Sequence, residues 1–154
     1  MMDAGLLHYE DIELGRAITL GSRTVTAEEI IGFARLYDPQ PFHLDEEAAR
    51  ATPLGGLAAS GWHTAALMMR LYVDGLLAGM ASMGSPGIEQ LDWFAPVRPG
   101  DTLTGTFTAV GKRVSKSRPE MGLLSIVIHL DNQHGTRVLE MRATALCATR
   151  EWAA

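Results

Sequence analysis

The sequence predicts an α+β domain in which an antiparallel sheet curves around one long helix. From Trp62 to about Leu77, apolar side chains fall on nearly every helical face, so other parts of the chain must enclose this segment. Behind it come four strand-like runs at short spacing. Short turns suit antiparallel pairs, because parallel neighbours need long crossovers.

The elements follow in order. Ala17 to Val25 is rich in β-branched residues and reads as a strand. Thr26-Ala27-Glu28-Glu29 is a capping box, and the helix it starts should bury Ile30, Phe33, Ala34 and Tyr37. Pro39 disfavours helical geometry at Asp38, so this helix should end there. Pro41 follows, and the segment from Asp38 to His43 reads as a rigid non-helical loop. Asp45 to Arg50 suits a short helix with its acids at the favourable N-terminal end. Leu54 to Gly61 is a small-residue approach to the long helix.

The strands should be Ile88 to Phe94, Thr102 to Val110, Leu123 to Leu130 and Arg137 to Thr149. The second alternates, with Leu103, Gly105, Phe107 and Ala109 on one face and threonines on the other. The third is almost continuously apolar, as a central strand would be. Asp131 to Gly135 reads as a turn.

At 154 residues, 47% hydrophobic and 20% charged, the chain fits one globular domain over residues 1–154. A net charge of -5 argues against nucleic-acid binding, which needs a clustered basic surface. The single Cys147 excludes an intramolecular disulfide and a multi-cysteine metal site. Met1 to Gly5 lacks the basic and apolar regions of a secretory leader. Arg70 and Asp74 interrupt the longest apolar stretch, so no membrane span is expected and a cytoplasmic location is the default.

Asp38 and His43 are the candidates for proton transfer, since a carboxylate and an imidazole can exchange a proton with shared water near neutral pH. The flanking prolines supply rigidity. On spacing alone, a backbone-capping Asp and a packed His are the favoured reading. The segment Phe33 to Asp45 closely resembles the signature of the MaoC-like dehydratases, or (R)-specific enoyl-CoA hydratases. The resemblance continues through Gly55-Gly56-Leu57-Ala58-Ala59-Ser60-Gly61 and Phe94 to Thr102, and so spans most of the chain.

That resemblance implies a hot-dog fold, in which an antiparallel sheet wraps a central helix. It implies that Asp38 and His43 hold a water that adds to a trans-2-enoyl-CoA, giving an (R)-3-hydroxyacyl-CoA. No metal or redox cofactor is implied; coenzyme A arrives as part of the substrate. Gly61, at the start of the long helix, becomes the candidate oxyanion donor. Tyr37, Gln40, Ser60 and Trp62 are assigned to substrate binding. Gln40 stands where the family commonly has Asn, and Leu36-Tyr37 replaces a small residue and Gly, so the pocket wall should differ. Lys116 and Arg118, within the basic run Lys112 to Arg118, are candidates for the coenzyme A phosphates; a solvated hairpin tip is the other reading. A homodimer is expected, because an isolated sheet edge is a hazard. A hot-dog thioesterase and a non-catalytic acyl-CoA-binding module remain as alternatives.

Overall fold

The computed structural model describes residues 5–153; Met1 to Ala4, on which the leader reading mainly rests, lie outside that range. Five strands, β1 (Ala17–Thr24), β2 (Ser82–Trp93), β3 (Thr102–Val114), β4 (Met121–Asp131) and β5 (Arg137–Ala148), form one antiparallel sheet. Its order is β1-β3-β4-β5-β2. The almost continuously apolar run is therefore the central strand, β4, as its composition requires.

Between β1 and β2 lie α1 (Ala27–Tyr37), α2 (Pro41–Leu44), α3 (Glu46–Arg50) and α4 (Gly61–Gly75), and α5 (Arg150–Ala153) follows β5. The α4 helix packs into the hollow of the sheet through Leu67, Met68, Leu71 and Tyr72, which join one core with Phe107, Leu124, Ile128 and Leu139. Tyr72 stacks on Phe107 with ring centroids 5.6 Å apart. The fold is thus the hot-dog arrangement. Thr26 caps α1 by accepting the Glu29 N–H at 3.1 Å, while Glu29 accepts the Thr26 N–H at 2.9 Å.

The structure corrects several boundaries. Pro41 opens a single helical turn, because its fixed φ suits a first helical position where no N–H partner is needed. The expected rigid loop is therefore extended only at its start. Tyr37 is exposed, since α1 turns only Ile30 and Ala34 fully inward. The α4 helix is not enclosed all round: Trp62, Ala66, Met69 and Val73 form an exposed apolar stripe. β2 begins six residues before the predicted Ile88, at Ser82. Its first half is broken by repeated register shifts around Gly84 and Pro86, which hid it from a strand pattern. β3 runs on to Val114 through an irregularity between Ala109 and Gly111. Among the described residues no helix is long and apolar enough to cross a membrane.

One close approach fixes how deeply α4 sits. A Cβ at Gly75 would lie 2.4 Å from the Leu20 carbonyl oxygen and 2.6 Å from its Cα, both backbone atoms of β1. The substitution Gly75→Ala should push the end of α4 away from β1 and cost about 1–3 kcal/mol in urea unfolding. A variant as stable as the parent would show that the helix and strand separate freely here.

Candidate active site

Pro39 ends α1 and frees Asp38 to take an extended φ of -153°. One turn later, the His43 N–H donates to the Gln40 carbonyl, and the α2 turn carries the imidazole back toward Asp38. His43 is buried, and its Nε2 lies 3.4 Å from Asp38 Oδ2. The other nitrogen, Nδ1, is 2.7 Å from the Ala58 carbonyl oxygen. A carbonyl only accepts, so Nδ1 carries the hydrogen and in the neutral ring Nε2 is the acceptor.

Both Asp38 oxygens are held. Ser60 Oγ donates to Oδ2 at 2.6 Å, and Gln40 Nε2 donates to Oδ1 at 2.6 Å. The Ser60 hydrogen bond is the main cause that lowers the Asp38 pKa below the ordinary carboxylate value; partial burial opposes it, and Gln40 and His43 add to the lowering. The carboxylate therefore stays ionised and presents acceptors beside a second acceptor, His43 Nε2. A water donating one hydrogen to each fits this pair.

Ser60 is the N-cap of α4 and accepts the Trp62 N–H at 3.2 Å. The preceding N–H, of Gly61, meets no acceptor among the described residues. Trp93, at the end of β2, donates its indole N–H to the Gly61 carbonyl at 2.8 Å. Its ring lies so close that a Cβ at Gly61 would be 2.8 Å from it. Trp62 meets Trp93 edge-on, with centroids 5.5 Å apart.

A cleft of about 510 Å³ unites Asp38, His43, Gly61 and Trp62, with Thr64, Trp93 and Phe94 also on its walls. The Leu54 to Leu57 approach is clamped by Arg98, whose guanidinium donates to the carbonyls of Leu54, Gly56 and Leu57. Glu46 holds the same loop through the Leu57 N–H at 2.8 Å.

The other sequence-predicted residues are placed differently. Ser60 is fully buried behind Asp38, so it reaches a ligand only through that carboxylate. Gln40 is exposed and donates to Asp38. Tyr37 is exposed outside the cleft wall. Lys116 and Arg118 sit at the β3–β4 hairpin, whereas Trp93 aligns through Leu139 and Leu130 with Gly105 at the other end of the sheet. Nine residues of β3 separate the two ends, about 30 Å. Arg118 pairs with Glu120 at 3.0 Å. Sequence reasoning missed Trp93 and the Ala58 carbonyl. A tryptophan ending a strand was the available signal for the first; a backbone oxygen leaves none.

A family model described as MaoC like domain matches residues 12–129. The chain is 41% identical to the crystal structure of a MaoC-like dehydratase from Rhodospirillum rubrum, with a TM-score of 0.85 over 94% of this chain and 98% of that one. It is 35% identical to the 3-hydroxybutyryl-CoA dehydratase of Methylorubrum extorquens over 64% of this chain and 60% of that relative. It is 34% identical to the (R)-specific enoyl-CoA hydratase of Rhodospirillum rubrum over 69% and 72% of the two chains.

The Trp93–Gly61 contact makes its own prediction. Gly61→Ala should displace the indole, shift tryptophan emission to longer wavelength and lower stability by about 1–3 kcal/mol. Unchanged emission would mean that Trp93 does not rest on this peptide.

Proposed function

The chain belongs to the MaoC-like domain family, and from that premise we propose that it is a hydro-lyase acting on acyl-CoA thioesters. It adds water reversibly to a trans-2-enoyl-CoA and forms an (R)-3-hydroxyacyl-CoA. The observation that carries this reading is the Asp38–His43 pair, 3.4 Å apart at the cleft that Gly61 also lines.

In the proposed hydration, the water between Asp38 and His43 bonds through oxygen to the β-carbon. One of its protons passes to the pair, and the alkene electrons move onto the thioester as an enolate. The Gly61 N–H, at the positive end of α4, receives the developing charge on the thioester oxygen. The proton then returns to the α-carbon, and the protein ends as it began. These protein groups suffice; no metal or redox cofactor enters the scheme. Coenzyme A is carried by the substrate.

Crotonyl-CoA and longer enoyl-CoAs should be hydrated, followed by loss of the enoyl absorbance. Asp38→Asn and His43→Ala should each lower kcat by about 10²–10⁴-fold. Activity that survived both changes would exclude the assignment. Release of free thiol would identify a thioesterase instead, and thermal stabilisation by acyl-CoA without turnover would identify a binding module.

The same reading includes a homodimer in the cytoplasm. Among the described residues β2 leaves one edge unpaired, and Ile88 on it stands beside Met69 of the exposed α4 stripe across an apolar groove of about 290 Å³. A two-fold partner would cover edge, groove and stripe together. The chain should sediment as a dimer, and Ile88→Lys should yield monomers. A monomeric parent chain would remove this part of the proposal.

A further inference from the structure

We propose that Ser60 is a positioning residue, one hydroxyl that fixes the Asp38 carboxylate against the first turn of α4. The proposal rests on the hydration reading for its catalytic meaning and on geometry for its substance. Ser60 Oγ makes two hydrogen bonds in opposite senses: it accepts the Trp62 N–H at 3.2 Å and donates to Asp38 Oδ2 at 2.6 Å. Because the amide hydrogen occupies one side of the oxygen, the hydroxyl hydrogen is directed away from the helix, and the carboxylate is the acceptor it meets.

The rest of Ser60 has little freedom. Its carbonyl accepts the Thr64 N–H at 3.0 Å and the Thr64 hydroxyl at 3.3 Å, so the residue cannot shift without unwinding the helix start. The side chain is fully buried, and a hydrogen bond to an ionised group gains strength where water is excluded. Gln40 holds the other carboxylate oxygen from an exposed position, where water competes for both partners. Ser60 is thus the persistent hold and Gln40 the exchangeable one.

The consequence concerns two groups at once. The candidate base and the candidate oxyanion peptide come from α1's end and α4's start, 22 residues apart for Asp38 and Ser60. One oxygen atom ties them, so their separation cannot drift as substrate enters and leaves. The titratable group facing Asp38 is His43 of α2; Ser60 and Gln40 face it as neutral donors. The depressed Asp38 pKa accords with this arrangement, and its first cause is the Ser60 bond.

A serine that merely caps α4 would affect helix stability and leave Asp38 alone. The test separates the two roles by following the Asp38 carboxyl by ¹³C NMR across a pH titration in the parent chain, Ser60→Gly and Ser60→Ala. Glycine is an acceptable N-cap, costing only tenths of a kcal/mol against serine, so Ser60→Gly removes the donor while the helix still starts. The Asp38 pKa should move upward in both variants. With crotonyl-CoA, kcat should fall about tenfold or more while KM stays within about twofold. In an Asp38→Asn background, Ser60→Gly should add almost nothing.

An Asp38 titration unmoved by both variants would overturn the proposal. So would an equal loss of kcat from Ser60→Gly in the parent chain and in the Asp38→Asn background. A parent chain with no hydratase activity would overturn the reaction assigned above, and the carboxyl titration would still decide whether Ser60 holds Asp38.

Discussion

The first turn of a helix leaves N–H groups that no helical carbonyl can reach, and the organisation of this protein turns on how α4 disposes of them. Ser60 takes the Trp62 N–H, and the Gly61 N–H remains without an acceptor among the described residues, at a cleft wall. Keeping an unpaired donor at that place requires the surrounding chain to be pinned. Trp93 does so from the sheet edge by gripping the Gly61 carbonyl, and Ser60 does so from beneath through Asp38. The approach loop is held from a third side by Arg98. Elements distant in sequence therefore converge on the start of α4 and on the loop that leads into it.

The sheet serves this convergence by curvature and depth. Small or absent side chains at Gly105 and Gly75 let β3, β1 and α4 approach closely around Leu20. The helix is thereby seated at its C-terminal end, and its N-terminal end projects toward the cleft. The helix is thus held at both ends. Electrostatic stabilisation of the proposed kind needs such a fixed frame, since it loses its advantage if dipoles must reorganise during reaction.

Much of this was legible in the amino-acid sequence. The capping box at Thr26, the alternation of Leu103 to Ala109 and the apolar run in β4 each express a local rule, and each formed as expected. Asp38 and His43 were visible because their prolines and neighbours mark the segment. What was hidden depended on distance or direction. The partner of Ser60 lies 22 residues away and that of Trp93 lies 32 residues away, so neither bond has a local pattern. The open side of α4 was hidden for another reason. An apolar stripe has the same periodicity whether it faces its own core or something outside the chain, and Met69 reads like Leu67 until the fold is known. Pro41 misled because proline both stops helices and starts them.

The broken first half of β2 has a meaning beyond this chain's own folding. Gly84 takes a φ of 93° and Pro86 contributes no N–H, so from Ser82 to Gly87 the outer rim offers an interrupted ladder. The unbroken stretch that can template another strand runs from Gln90 to Trp93. A short permitted window flanked by a built-in stop favours a finite, closed pairing over open-ended growth. The irregularity that obscured the strand in the sequence thus limits how far an outside strand can pair along this edge.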